Sequence, residues 1–162
     1  MPNILITGMS GTGKSAVLGA LAARGYEAVD TDSDEWCEWV DIPHSGSATE
    51  RDWIWRADRM TSLLTLDRPG PVFVAGCKSN QGAFYRYFAK IVLLSARPDV
   101  MIRRIERRTS NAYGKRADEQ ADILGYVETV EPLLRASCDL EIDTSQITIE
   151  EVVASIVESI KT

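Results

Sequence analysis

The 162-residue chain has no apolar run long enough to cross a membrane. A membrane-spanning helix needs about 20 consecutive apolar residues, whereas the short run at residues 91–94 is typical of this chain. The first residues also lack the basic region and long apolar block of a secretory signal. We therefore expect a cytoplasmic protein without a membrane partner.

Cysteine and histidine are scarce. Cys37, Cys77 and Cys138 are widely spaced and contain no CxxC pair, which argues against a disulfide framework or a cysteine-rich zinc site. His44 is the only histidine and lies in a turn-like segment, so it is a poor candidate for a catalytic base. The length allows one well-buried core but not two ordinary domains. We expect one domain over residues 1–162, as a monomer or homodimer.

Basic residues are outnumbered, with 18 against 24 acidic residues and a net charge of −6. This balance argues against nucleic acid as a partner. Seven of the basic residues nevertheless lie within 97–116, together with only two of the acidic ones. Such a segment either binds an anionic ligand or is a solvated helix face.

Short apolar runs alternate with segments of helical periodicity, which predicts an α/β domain with a parallel sheet covered on both faces. Strands are expected at 3–7, 27–29, 72–75, 90–94 and 140–142. Helices are expected at 14–24, 49–67, 98–108, 117–137 and 148–160. The tryptophan-rich region is also expected to be helical, with Trp36 and Trp39 on one face.

The segment GMSGTGKS, residues 8–15, follows the first predicted strand and has the pattern G-x-x-x-x-G-K-S. Glycines let the backbone N–H groups point at phosphate oxygens, and the next helix adds its positive N-terminus. Lys14 reaches the β- and γ-phosphates, and the Ser15 hydroxyl binds Mg²⁺. The expected nucleotide-binding residues here are Gly8, Ser10, Gly11, Thr12, Gly13, Lys14, Ser15 and Ala16.

Two absences and one acidic pair bear on the fate of the phosphate. The chain has no Asn-Lys-x-Asp guanine-binding motif, and its third predicted strand runs into Gly76 and Cys77 without the carboxylate typical of motor ATPases. Asp30 and Asp32 instead follow the second strand, spaced to lie on one side of an extended segment. One carboxylate can support Mg²⁺ and the other can accept a proton from a hydroxyl, which favours phosphoryl transfer over a merely solvated turn.

These motifs resemble the small P-loop kinases that include shikimate kinase, gluconate kinase and the adenylate kinases, and they are closest to shikimate kinase. The segment VDTD, residues 29–32, is similar to the Asp-Thr/Ser-Asp of shikimate kinases, which implies Asp30 near the metal and Asp32 on the acceptor. The pair Arg104 and Arg108 resembles the start of the mobile lid that clamps the phosphates of ATP.

The remaining resemblance extends to both ends of the expected cleft. The segment EIDTS, residues 141–145, is similar to the loop beside adenine and implies that Thr144 and Ser145 contact the nucleotide. Trp55-Arg56 resembles a Phe-Arg pair whose arginine holds a substrate anion, although an exposed helix arginine is equally in keeping with the sequence. The family also implies sheet order 2-3-1-4-5, a helical substrate-side region at about 33–68 and a lid at about 104–116.

The sequence departs from shikimate kinases at two substrate contacts. GCKSNQG, residues 76–82, replaces a glycine triplet, and VEPLL, residues 130–134, lacks the family's arginine, so shikimate is not the expected acceptor. Lys78 and Asn80 are interpreted as acceptor contacts or as ordinary loop residues. We expect an ATP-dependent, Mg²⁺-dependent kinase acting on a hydroxyl of a small metabolite or natural product. The alternatives are a nucleoside or nucleotide kinase, with tryptophans stacking on the base, and an ATP-binding protein or NTPase without an acceptor.

Overall fold

A computed structural model describes residues 2–42, 51–109 and 111–161, so His44 lies outside the described residues. Its main sheet contains five parallel strands in the order β2-β5-β1-β6-β7. The strands of this sheet are β1 (Asn3–Thr7), β2 (Glu27–Asp30), β5 (Val72–Ala75), β6 (Lys90–Ser95) and β7 (Leu140–Asp143). Counted among themselves, they have the predicted order 2-3-1-4-5, and the predicted α/β class is confirmed.

Six α-helices of the described chain lie between these strands or, for the last one, after β7. They are α1 (Lys14–Ala23), α2 (Ala57–Thr65), α3 (Pro98–Arg107), α4 (Ala117–Thr129), α5 (Glu131–Ser137) and α6 (Ile149–Ile160). A 3₁₀ helix, Gln81–Tyr87, follows β5. None of the described helices is both long and apolar enough to span a membrane.

The predicted helical region at 33–68 and the predicted helix at 49–67 are wrong in their first parts. The chain forms an antiparallel hairpin from β3 (Cys37–Asp41) and β4 (Arg51–Trp55), and among the described residues of this region α2 is the only helix. Trp39 therefore pairs with Trp53 across two strands and does not share a helix face with Trp36. Aromatic and β-branched residues at alternate positions favour paired strands, and this pairing outweighs the helical spacing of Trp36 and Trp39.

The predicted helix at 117–137 is also divided, into α4 and α5. Pro132 lies in the first turn of α5, where its missing N–H costs no hydrogen bond. Inside one continuous helix, the same proline would remove a backbone bond and clash with the preceding turn. The break at Val130 is therefore the local consequence of one residue.

The core lies on both faces of the main sheet. On one face, α1 and α6 pack against Phe73 through residues such as Leu21 and Ile156. On the other face, Leu5 and Val74 pack against Trp55 and Met60. Trp55 is 1% exposed, so β4 is anchored in the core at its C-terminal end. The hairpin thus projects from a buried base beside the end of β2.

Candidate active site

The loop between β1 and α1 depends on three glycines with positive φ. Gly8, Gly11 and Gly13 have φ of 150°, 83° and 104°. A Cβ on Gly11 would lie 2.6 Å from the Met101 carbonyl oxygen, whereas one on Gly13 would meet nothing within 4 Å. Gly13 is also the N-cap of α1, and no side chain caps that helix end. The free N–H groups of the first turn therefore suit an anion such as phosphate.

Lys14 folds back over this loop. Its ammonium donates hydrogen bonds to the carbonyl oxygens of Gly8 at 2.6 Å and Met9 at 2.9 Å. Burial lowers the pKa of Lys14, and the negative charges of Asp32 and Asp30 partly oppose this effect. The phosphate-loop lysine therefore lies within electrostatic reach of both aspartates that follow β2.

The other loop residues divide between exposed and internal positions. Ser15 and Ala16 are exposed at the start of α1, and Ser10 is half-buried at the loop surface. Thr12 is fully buried, and its hydroxyl donates to the Met9 carbonyl oxygen at 2.8 Å. Any nucleotide contact of Thr12 would therefore use its backbone, while its side chain stabilises the loop.

The aspartates Asp30 and Asp32 flank a buried anchor. Thr31 is fully buried, and its hydroxyl donates to the Ala75 carbonyl oxygen at 2.7 Å and accepts from Trp55 Nε1 at 2.8 Å. The aspartates on either side are exposed, and the Asp32 N–H donates to Asp30 Oδ1 at 3.0 Å. The sequence analysis missed Thr31, although the alternation of an extended segment indicates that the residue between two exposed aspartates points inward.

Lys78 is brought to Asp32 by the loop after β5. Lys78 Nζ lies 3.0 Å from Asp32 Oδ1 and 4.2 Å from the centre of the Trp53 ring. The Lys78 N–H donates to Gln81 Oε1 at 2.8 Å, and Gln81 Nε2 in turn donates to the Thr7 hydroxyl at 3.2 Å. Buried Gln81 therefore fastens this loop to the central strand β1.

Asn80 and Arg56 hold the hairpin in place. Asn80 Oδ1 accepts from the Trp55 N–H at 3.1 Å, and Asn80 Nδ2 donates to the Trp55 carbonyl oxygen at 3.0 Å. Arg56 donates to the Asp34 carbonyl oxygen at 3.0 Å and to Glu38 Oε2 at 3.3 Å. Both predicted acceptor contacts thus have protein partners, and their roles in acceptor binding stay predictions.

Arg104 and Thr144 join the phosphate loop to the end of β7. Arg104 Nη1 donates to the Thr144 hydroxyl at 2.8 Å and to the Gly11 carbonyl oxygen at 3.2 Å. Thr144 is 1% exposed, and its hydroxyl donates to the Thr12 carbonyl oxygen at 2.7 Å. Burial lowers the pKa of Arg104, and Asp143 opposes that effect. Arg104 therefore stabilises the phosphate loop, directly through Gly11 and indirectly through Thr144.

Ser145 lies next to this junction. Its hydroxyl accepts a hydrogen bond from the Arg97 N–H at 2.8 Å, and its own N–H donates to Asp143 Oδ1 at 2.9 Å. These bonds fix the turn that follows β7 at the same edge of the sheet as the phosphate loop. The predicted contacts of Thr144 and Ser145 with a nucleotide stay predictions.

Arg108 directly follows α3, and its guanidinium binds the loop that comes next. Arg108 Nε donates to the Asn111 carbonyl oxygen at 3.2 Å, and its Nη2 donates to the carbonyl oxygen of Tyr113. Burial lowers the pKa of Arg108, and the nearby charge of Asp32 raises it. Of the two predicted clamp arginines, Arg108 is therefore the one whose guanidinium interacts with the aspartate side of the site.

The residues expected to hold Mg²⁺ fit an ion bound mainly through phosphate and water. In the described ranges, no group of three or more His, Cys, Asp or Glu residues could hold a metal. Ser15 and Asp30 are both exposed at strand or helix ends bordering the phosphate loop. Mg²⁺ ordinarily keeps several waters and takes one or two protein ligands besides phosphate oxygens, which this pair can supply.

Comparison with known proteins identifies a family and a fold. The family model described as AAA domain, AAA_18, matches residues 4–125. No curated protein matches the chain.

Solved structures show the same fold at low identity. A shikimate kinase from Acinetobacter baumannii in complex with shikimate is 19% identical, with a TM-score of 0.68 over 99% of this chain and 93% of its own. A shikimate kinase from Bacteroides thetaiotaomicron is also 19% identical, with a TM-score of 0.67 over 99% of both chains. A gluconokinase from Sinorhizobium meliloti 1021 is 18% identical, with a TM-score of 0.57 over 99% of this chain and 95% of its own.

Proposed function

Since the chain belongs to the AAA_18 family of AAA domains, we propose that it is an ATP-dependent kinase. It transfers the γ-phosphoryl group to a hydroxyl of a small metabolite or natural product. The observation that carries this proposal is that the phosphate loop with Lys14 and the exposed pair Asp30 and Asp32 follow two parallel strands of one sheet, β1 and β2, and so lie at the same edge of that sheet. Metal, cation and carboxylate are what phosphoryl transfer to an alcohol needs in one place.

The roles follow from the position of each side chain. Lys14 exchanges the carbonyl oxygens of Gly8 and Met9 for phosphate oxygens. Asp32 orients the acceptor hydroxyl and accepts its proton. Arg108 lies near enough to Asp32 for their charges to interact, so it can balance negative charge on a phosphoryl group between them. Ser15 and Asp30 would hold Mg²⁺, which offsets phosphate charge when bound.

The acceptor side supports a substrate other than shikimate. Lys78 occupies the region of the shikimate kinases' glycine triplet and is already paired with Asp32. Arg56, expected to hold a substrate anion, is paired with Glu38. The solved kinases named above nevertheless support a small hydroxylated acceptor, because they share this fold over nearly the whole chain.

A nucleoside acceptor is the second candidate, and one observation favours it. Trp39 is 59% exposed and stacks on Trp53, with ring centres 6.0 Å apart and planes at 28°. An exposed indole on the hairpin that contacts Lys78 is suited to stacking against a base. Nucleosides therefore belong in any acceptor screen.

The test is ATP consumption with separate additions of sugars, polyols, sugar acids and nucleosides. We expect consumption to rise sharply with one class of hydroxyl compound. Lys14→Ala should abolish turnover because the phosphates lose their cation, and Asp32→Asn should lower it by about 10²-fold because the hydroxyl loses its proton acceptor. ATP consumption that no added compound changes would contradict the kinase proposal and favour an NTPase. Wild-type turnover in Asp32→Asn would contradict the role of Asp32.

A further inference from the structure

The ammonium of Lys78 is held between a carboxylate and an indole. Its side chain is only 11% exposed, although lysine is ordinarily among the most solvated residues. Nζ lies 3.0 Å from Asp32 Oδ1 and 4.2 Å from the centre of the Trp53 ring. Both contacts are close enough to hold the ammonium, since a cation within about 6 Å of a Trp ring centre is attracted to the ring face.

The backbone around Lys78 is fastened to the hairpin as well as to the main sheet. Gln81 ties the loop to Thr7 of β1. The two residues after Lys78 bind the hairpin. Ser79 donates to an Asp52 carboxylate oxygen, and the side-chain amide of Asn80 forms hydrogen bonds with both the N–H and the carbonyl oxygen of Trp55. The hairpin therefore determines where the Lys78 side chain can lie.

A second cation on the same hairpin serves as an internal comparison. The Arg51 guanidinium lies 5.8 Å from the centre of the Trp39 ring, at the outer end of the Trp39–Trp53 stack. Arg51 is exposed, whereas Lys78 is largely covered and paired with Asp32. Each indole thus contacts a cation, but of the two cations Lys78 is the one that contacts Asp32, a residue of the proposed reaction.

We propose that Lys78 and Trp53 are positioning residues for Asp32. Trp53 contacts the Lys78 ammonium, and this ammonium in turn binds Asp32 Oδ1. The hairpin therefore sets the direction of the carboxylate that receives the acceptor hydroxyl. This proposal rests on the proposed function. It gives Lys78 a role through Asp32, different from the direct acceptor contact expected from its place in the loop.

The first experiment observes the Trp53–Lys78 contact without any substrate. In the full chain with ¹³C-labelled lysine, the ε-CH₂ protons of Lys78 should be shifted upfield by the indole ring current. We expect the shift to disappear in Trp53→Leu, to persist in part in Trp53→Phe and to persist in Asp32→Asn and Arg51→Met. Retention in Trp53→Leu, or loss in Asp32→Asn, would overturn the proposal, because Trp53 would then not be what holds Lys78.

The second experiment measures Mg·ATP hydrolysis, with water as the acceptor probe. Lys78→Met and Trp53→Leu should each lower kcat by about 10- to 100-fold, as a displaced catalytic group does, while the KM for ATP stays the same. The double variant should be no slower than the slower single variant, because both changes break one chain of contacts. Lys78→Arg should recover part of the rate, and Arg51→Met should match the wild type.

Several outcomes would overturn this positioning role. They are unchanged kcat in Lys78→Met, additive losses in the double variant, and a raised KM for ATP with normal kcat. Trp53→Phe, which keeps an aromatic face, provides the comparison if Trp53→Leu is poorly folded. If Asp32→Asn hydrolyses ATP at the wild-type rate, the proposed function fails at Asp32 and the positioning role fails with it. If only Asp32→Asn is slow, the kinase proposal stands and the positioning role fails.

Discussion

The two sides of the cleft are built in different ways. On the donor side, glycine backbone, the buried Thr144 hydroxyl and the Arg104 guanidinium fix the phosphate loop. On the acceptor side, the partly exposed side chains of Lys78 and Asp32 meet beneath a hairpin. Because the phosphate loop is built largely from backbone, few substitutions there are tolerated. The pairing of Lys78 with Asp32 can instead be altered by exchanging one residue.

This difference separates what any polyphosphate needs from what one acceptor needs. A phosphate group is bound by backbone N–H groups, and those require a particular φ at each glycine. An acceptor is distinguished by the side chains that surround it. The base of the hairpin, Trp55, is fixed by Thr31 and Asn80. In the proposed function the hairpin borders the acceptor, so we expect that specificity can change without disturbing the phosphate loop.

The largest effects should separate Arg108 from Arg104. Arg108→Ala should lower turnover by about 10²-fold with only a small loss of stability, because its charge acts at Asp32 and its bonds to the Asn111 and Tyr113 carbonyl oxygens are exposed. Arg104→Ala should lower turnover comparably and also destabilise the fold, because Gly11 and Thr144 lose a shared donor. Steady-state kinetics and urea unfolding measure the two losses, with exposed Arg107→Ala as the control. Wild-type rates in both variants would show that neither arginine acts on phosphate.

A glycine series tests how rigidly the donor side is built. Gly13→Ala should cost about 1–2 kcal/mol of unfolding free energy from backbone strain alone. Gly11→Ala should cost about 2–5 kcal/mol, because its Cβ would also lie 2.6 Å from the Met101 carbonyl oxygen. Gly19→Ala, inside α1 with open space around it, should stabilise by about 0.5–1 kcal/mol. Equal losses at Gly11 and Gly13 in urea titrations would contradict the close approach.

Asn80→Ala should loosen the acceptor side alone. The Trp55 N–H and carbonyl group would lose their partner, which should cost about 1–3 kcal/mol in unfolding free energy. ADP affinity, measured by calorimetry, should stay at the wild-type value because the donor side is untouched. Ser79→Ala removes a single exposed contact to Asp52 and should cost less. A loss of ADP affinity in Asn80→Ala would show that the two sides are not independent.

The smallest effect concerns pH and the carboxylate of Glu141. A hydrogen bond from Arg135 lowers its pKa below the usual 4.5, helped by a bond from Ser95. A carboxyl group whose pKa is lowered in the folded protein stabilises the fold at any pH above its ordinary pKa. This stabilisation is lost as the pH falls through the pKa of the folded protein. Glu141→Gln should therefore cost about 0.2–1 kcal/mol at pH 7 and nothing in acid.

Thermal unfolding of wild type and Glu141→Gln from pH 7 downward measures this loss. Glu150→Gln, which removes an exposed ion pair with Arg24, is the matched control and should change stability little. A difference between wild type and Glu141→Gln that persists undiminished in acid would show that the carboxylate charge is not its cause.

The sequence predicted the strand, loop and helix around residues 8–15 far better than the hairpin of β3 and β4. Residues 8–15 form one local pattern whose chemistry follows from residue type and order, and the strand order follows from the family resemblance. The hairpin was missed because Trp39 and Trp53 are 14 positions apart and stabilise each other only after the strands pair. The break between α4 and α5 was missed although Pro132 signals it.

The sequence by itself determined a phosphate loop after the first strand, a pair of aspartates after the second and a five-stranded parallel sheet. Only the tertiary structure decided that Arg104 supports the loop while the charge of Arg108 interacts with that of Asp32, and that Trp53 contacts the lysine paired with Asp32. The physical reason is range. Glycine conformation and strand periodicity act between neighbours in the chain, whereas charge pairing and aromatic stacking here join residues from different loops and strands.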